Sequence, residues 1–127
     1  MSTGIIDQAM DYLADFVNNE KWTTLSIDDG SAGIAIGANS WKQEMSILVT
    51  FPTNTIYAVT YHLTKDQYTK RKAGNSALYL LNGCYRTSSD YHFVSVKVDD
   101  SGVSVQRWSW NGTDQSLANA KLIVSYR

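Results

Sequence analysis

Side chains that could carry out chemistry are few in this sequence. The only histidines are His62 and His92, on different predicted strands, and the only glutamates are Glu20 and Glu44, both in the early part of the chain. A metal site would need both histidines and a carboxylate brought together by the fold, and the sequence contains no nucleophile elbow, phosphate loop or metal-ligand spacing. We therefore expect no enzyme activity, no metal and no cofactor, with a small hydrolase as a weaker alternative.

Aromatic side chains give the clearest signal for binding. Trp108 and Trp110 stand at alternate positions at the end of one predicted strand, in the stretch VSVKVDDSGVSVQRWSW of residues 94–110. This stretch reads as two strands around a turn. Two of the four tryptophans of the chain are thus placed on one strand.

The residues that the hairpin brings together predict its register. A four-residue loop from Asp99 to Gly102, with the glycine in a left-handed conformation, pairs valine with valine and leaves one aliphatic face. Those valine pairs are Val98 with Val103 and Val96 with Val105. Continued to the end of the strand, the same register places Phe93 opposite Trp108 and Tyr91 opposite Trp110 on the other face.

Four adjacent rings would offer on the order of several hundred Å² of apolar surface, which on a monomer usually signals a contact. Three explanations remain open: the N-terminal helix or the edge of another sheet covers the rings, the rings form a subunit interface, or they stack against a sugar. In the third case polar neighbours would orient the ligand. The candidate ligand-binding residues are Trp110, Trp108, Tyr91, Phe93, His92, Asn111 and Asp114.

An amphipathic helix is predicted at residues 5–17, after which a domain of residues 21–127 follows the N-terminal segment 1–20. Its apolar stripe spans about two heptads, too few for a stable coiled coil on its own. The helix therefore needs a partner, either the sheet of its own domain or copies of itself. The candidate interface residues are Ile6, Met10, Leu13 and Val17.

Beyond Trp22 the hydrophobic pattern has a period of two, which predicts about six to eight short strands and an all-β antiparallel sandwich. The longest predicted strand runs from Trp41 to Phe51 and ends at Pro52, the only proline. Residues 56–63 continue as a strand. The polar, cationic segment 64–76 is interpreted as an exposed loop, usually only solvated, although its lysines and arginine could meet an anionic polysaccharide.

Composition argues against several partners. The formal net charge of −1 provides no field that would attract nucleic acid. The sequence contains no secretory signal and no run of about 18 apolar residues. We therefore expect a soluble chain that is made in the cytoplasm and does not insert into a membrane. It would reach the virion or the extracellular space only after lysis. Cys84 is the only cysteine and is expected to be a reduced, partly buried thiol.

Residues 45–127 resemble the H-type lectin-like domains found at the C-terminus of bacteriophage tail fibres. The resemblance rests on VTFPTNTIYAVTYHL with its Phe51-Pro52, on YHFVSVKVDDSGVSVQRWSWNGTD with its Gly102-Val103, and on AKLIVSYR. It implies a sandwich of about six strands, assembled as a homotrimer, that recognises cell-surface glycans at subunit boundaries. It also implies that Trp110 contributes to the sugar site.

The sequence thus predicts a non-catalytic binding module that recognises a cell-surface glycan or another host receptor, as part of a phage tail fibre or a related adhesion apparatus. The alternative is a virion structural or assembly protein whose aromatic face forms only subunit contacts.

Overall fold

Among the residues that the structure describes from 23 onward, nine strands, an α-helix and a short 3-10 helix follow one another. The computed structural model describes residues 5, 6, 8–10, 13, 21–51 and 58–127, without the side chain of Arg86. The elements are β1 (Thr23–Ile27), β2 (Ile34–Ala35), β3 (Glu44–Thr50), β4 (Ala58–Thr64), α1 (Lys65–Lys72), β5 (Leu78–Thr87), β6 (Asp90–Asp99), β7 (Gly102–Trp110), β8 (Thr113–Asp114), the 3-10 helix Leu117–Asn119 and β9 (Lys121–Tyr126).

The strands form two antiparallel sheets that pack face to face. Sheet A has the strand order β1-β9-β3-β4, and sheet B has the order β2-β7-β6-β5, with β8 paired to β7. The predicted all-β sandwich is therefore confirmed, with nine strands among the described residues instead of six to eight. Residues 52–57, which include Pro52 and the start of the predicted strand 56–63, lie outside the described residues.

Alternating apolar residues of both sheets fill the space between them. In β3, β6 and β9 every second side chain is buried, as the period-two pattern predicts. These inward residues are Met45, Ile47, Val49, Val94, Val96, Val98, Leu122 and Val124. Larger rings close the two ends of the core, with Trp41 against Tyr68 at one end and Phe51 against Trp108 at the other.

The β6–β7 hairpin has the predicted register next to its turn. Val98 pairs with Val103 and Val96 pairs with Val105, and all four side chains point into the core. Gly102 has a positive φ of 148°, and a Cβ there would lie 2.0 Å from the carbonyl oxygen of Ile34, so this position requires glycine.

A β-bulge makes the predicted register wrong beyond Val105. The register shifts between Ser95 and Val96, so that Gln106 has no partner on β6 and Ser95 pairs with Arg107. One extra residue reverses the faces of all residues that follow it. Trp108 therefore pairs with Val94 instead of Phe93, and Trp110 pairs with His92 instead of Tyr91. The predicted face of four adjacent rings does not exist.

The segment interpreted as an exposed loop contains helix α1. Thr64 and Gln67 form a capping box. The backbone N–H of Gln67 donates to Thr64 Oγ1 at 3.1 Å, and the backbone N–H of Thr64 donates to Gln67 Oε1 at 3.0 Å. Tyr68 anchors the helix, since it is 3% exposed and its hydroxyl donates to Asp100 Oδ1 at 2.8 Å. Caps and one buried ring thus stabilise a helix that has no apolar stripe.

Residues 5, 6, 8–10 and 13 are helical, in agreement with the predicted N-terminal helix. Three of the four candidate interface residues are more than half exposed: Ile6 at 64%, Met10 at 60% and Leu13 at 52%. Val17 lies outside the described residues. The three described side chains are thus not covered by the domain's own sheets, and their role in a subunit interface remains a prediction.

Candidate functional site

The bulge divides the candidate ligand-binding residues between the two faces of sheet B. Trp108, His92 and Trp110 lie on the inner face, whereas Tyr91 and Phe93 lie on the outer face. The other two candidates follow β7: Asn111 is in the turn before β8, and Asp114 is on β8. The predicted set is therefore not a single surface.

An aromatic stack at one end of the core accounts for the inner residues. The rings of His92 and Trp108 both stack on Phe51, with centroid distances of 4.9 Å and 4.5 Å. The indole of Trp108 donates to His92 Nδ1 at 2.9 Å, so Nδ1 acts as the acceptor and the neutral ring carries its proton on Nε2. Burial lowers the pKa of His92, which keeps the ring neutral near pH 7. For Trp108 and His92, internal packing is thus the correct explanation.

Trp110 is at the rim of this stack. Its ring stacks on His92 at 5.4 Å, its indole donates to Asp90 Oδ1 at 3.1 Å, and 39% of the residue is exposed. The neighbouring Asn111 has φ 52°, and its side-chain oxygen accepts from the amide of Tyr91 at 2.9 Å. Asn111 therefore fixes the turn between β7 and β8.

The outer face of sheet B has a different cluster of rings, beside a shallow groove of about 360 Å³. We call this groove, lined by Leu81, Phe93, Ser95, Arg107, Ser109 and Gly112, the aromatic groove. Tyr85 and Tyr91 stack on each other at 5.2 Å, and both meet Phe93 edge to face at 5.7 Å. An apolar concavity with a few polar groups is the usual form of a small-ligand site.

Gly83 sets the position of Phe93 in the aromatic groove. The two residues pair across β5 and β6, and a Cβ on Gly83 would lie 2.8 Å from the Phe93 ring. The ring therefore lies directly over the glycine backbone. Any larger side chain would lift it away from the sheet.

The groove's polar groups are on its β7 side. Arg107 Nε lies 2.9 Å from Asp114 Oδ1, and both side chains are 67% exposed. An ion pair this exposed contributes little to stability. It does orient the guanidinium, whose two terminal nitrogens make no hydrogen bond to the described residues and are thus available to a ligand.

The sequence-based prediction included only Phe93 among the residues that line this groove. The β5 residues Tyr79, Leu81 and Tyr85 are 59%, 73% and 65% exposed and alternate along the strand. They share the outer face with Tyr91 and Phe93 because β5 pairs with β6. The signal available in the sequence was the spacing alone: large apolar residues alternate in both segments, although their pairing could not be read from it.

The two histidines do not face a shared position. His62 is exposed on β4 and its Nε2 lies 2.9 Å from Glu44 Oε1, whereas His92 is fully buried within the core. Hydrogen bonds from His62 and Arg127 lower the pKa of Glu44. Within the described ranges, no group of three or more His, Cys, Asp or Glu side chains could hold a metal ion. Cys84 is half-buried, as expected, and burial raises the pKa of its thiol.

No family model, curated protein or solved structure matches this chain. The resemblance to H-type lectin-like domains therefore stays a prediction from sequence motifs. Of the helices in the described part of the chain, none is both long and apolar enough to span a bilayer.

Proposed function

We propose that this chain is a non-catalytic binding module whose aromatic groove recognises a cell-surface glycan or another host receptor, as part of a phage tail fibre or a related adhesion apparatus. The observation that carries the proposal is a concave groove on the outer face of sheet B, with Leu81 and Phe93 in its wall, where a sandwich normally exposes polar side chains. Exposed apolar surface of this kind is characteristic of contact sites.

The groove offers both kinds of contact that a sugar requires. The ring of Phe93 can stack on the apolar face of a pyranose, while Arg107 and the hydroxyls of Ser95 and Ser109 can hydrogen-bond its hydroxyl groups. Asp114 holds Arg107 in place and leaves its terminal nitrogens available. In this arrangement the sugar lies across β6 and β7.

A glycan array tests the proposal with three variants. We expect a specific glycan signal that is lost in Phe93→Ala and in Arg107→Ala. Tyr79→Ala is the matched control, because Tyr79 is an exposed ring on the same face but does not line the groove. Its signal should equal that of the unmodified chain. A signal that survives both groove substitutions would place the ligand elsewhere.

The second candidate is a virion structural or assembly protein that uses the same face for subunit contacts. The exposure of Leu81, Tyr85 and the helical residues Ile6, Met10 and Leu13 favours it. In this case light scattering should show an oligomer, which is a trimer if the resemblance holds. The oligomer should give no glycan signal, and the Leu81→Asn variant should dissociate into monomers. A monomer without a glycan signal would contradict both candidates.

A further inference from the structure

A second concave surface lies where α1 faces the loop that precedes β3. Two adjoining cavities of about 250 Å³ and 390 Å³ share Ala38, Asn39 and Lys65 in their walls. We call the combined surface the cationic cleft; its polar lining residues are Asn39, Lys42, Lys65, Thr69, Lys72 and Asp100. It has no residue in common with the aromatic groove.

Lys65 lines both cavities of the cleft. Its ammonium donates a hydrogen bond to the carbonyl oxygen of Ala38 and lies 4.3 Å from the ring centroid of Trp41 and 5.5 Å from that of Tyr68. These contacts fix the position of the charge. None of these contacts carries a full negative charge. Burial lowers the pKa of Lys65, and the nearby carboxylate of Asp100 offsets only part of that effect.

Among the described residues, Asp100 is the only carboxylate that lines the cleft, and its oxygens already bind other side chains. It accepts the hydroxyl of Tyr68 at 2.8 Å and pairs with Lys72 at 3.4 Å. Lys65 forms no ion pair with any described carboxylate. Three lysines, Lys42, Lys65 and Lys72, thus line the cleft together with one carboxylate, in a chain whose overall net charge is −1.

We propose that the cationic cleft binds a sugar acid, with the carboxylate of the sugar at the Lys65 ammonium. The anion would give Lys65 a direct countercharge, whereas Asp100 attracts it without a direct ion pair. Lysine suits such a contact because it acts as a point charge with three donors. Asn39 lines both cavities, and its side-chain amide can bind the sugar's hydroxyl groups. The cleft is also larger than an inorganic anion needs. This proposal does not depend on the function of the aromatic groove.

The probes are glucuronate, glucose and inorganic sulfate, each titrated at constant ionic strength while backbone amide NMR shifts are recorded. Glucuronate should shift the amides of Asn39, Lys65 and Thr69, and glucose should not. Inorganic sulfate should bind at least about tenfold more weakly than glucuronate, because it reaches only the ammonium groups. Shifts of equal size with sulfate and glucuronate, or shifts elsewhere in the chain, would overturn the proposal.

Two substitutions in the cleft and one outside it complete the test. Lys65→Met keeps the apolar stem over Trp41 and removes the charge, so glucuronate affinity should fall at least about tenfold. Lys72→Gln, which leaves Lys65 in place, should weaken binding by a smaller factor. Lys121→Gln on β9 is the control for the loss of one surface cation, and it should bind glucuronate with the affinity of the unmodified chain. Unchanged affinity in Lys65→Met, with the NMR spectrum of a folded chain, would refute the role of the cleft.

Discussion

Deletion of Gln106 is the sharpest test of the bulge in β7. Because Gln106 is the unpaired residue between Val105 and Arg107, its removal would leave Val105 opposite Val96 and Trp108 opposite Val94. All side chains of the strand would keep their faces. A deletion inside a core strand is therefore expected to be tolerated.

Comparison with deletion of Ser104 gives the expected magnitude. Removing Ser104 while Trp108 stays in place would turn Val105 outward and point Gln106 into the core. The lost burial of Val105 costs about 1.5–3 kcal/mol, and an unsatisfied buried amide costs about 1–3 kcal/mol more. By contrast, Gln106 is exposed and its side chain makes one hydrogen bond, to Ser104 Oγ at 2.9 Å, so its deletion should cost less than about 1 kcal/mol.

Urea unfolding followed by tryptophan fluorescence measures both deletions, since Trp108 is buried in the native state. The midpoint for the Gln106 deletion should lie close to that of the unmodified chain. The Ser104 deletion should lose a large part of the 5–15 kcal/mol that is typical of a domain. Equal destabilisation by the two deletions would refute the assignment of Gln106 as the extra residue.

Three further predictions concern stability. Burial lowers the pKa of His92 in the folded chain, so the unfolded chain binds a proton first as the pH drops, and the urea midpoint should fall below about pH 6.5. His92 contributes at most about 1.4 kcal/mol per pH unit to the change in the free energy of unfolding, and His92→Gln should remove this contribution. Gly83→Ala should lower the free energy of unfolding by about 1–3 kcal/mol in urea titrations because its Cβ would overlap the Phe93 ring, and a neutral effect would contradict that packing. Thr64→Ala should cost about 1 kcal/mol in thermal unfolding through loss of the capping box, whereas Thr64→Ser should be nearly neutral.

The sequence predicted the strands and the hairpin turn well because both depend on local patterns. Alternate burial along β3 and β6 follows directly from the spacing of their apolar residues. The turn from Asp99 to Gly102 depends on a glycine whose conformation other residues rarely adopt. When one face of a hairpin is aliphatic and its turn requires glycine, the sequence determines the pairing of the residues next to the turn.

The bulge was missed because strict alternation was continued past Val105. That register would have placed Arg107 on the core face opposite Val94, where an unpaired charge is costly to bury. The bulge places Arg107 on the surface and gives Trp108 a buried acceptor in His92. The conflict at Arg107 was visible in the sequence and could have indicated an extra residue.

Helix α1 was missed for a different reason. Its sequence has no apolar stripe, so the period of hydrophobicity gave no signal, although Thr64 and Gln67 have the spacing of a capping box. The contact between Tyr68 and Asp100 joins distant parts of the chain and could not be inferred from local sequence. The aromatic groove likewise required the pairing of β5 with β6, which places Leu81 near Phe93.

The position of β9 within sheet A constrains the order in which the chain can fold. In sheet B the strands β5, β6 and β7 are neighbours in sequence as well as in space, so their hairpins can form from local contacts. Sheet A closes only when β9 inserts between β1 and β3, which pairs Thr23 with Tyr126 across almost the whole described chain. Such high contact order slows folding. We therefore expect sheet B to form first and the insertion of β9 to limit the folding rate.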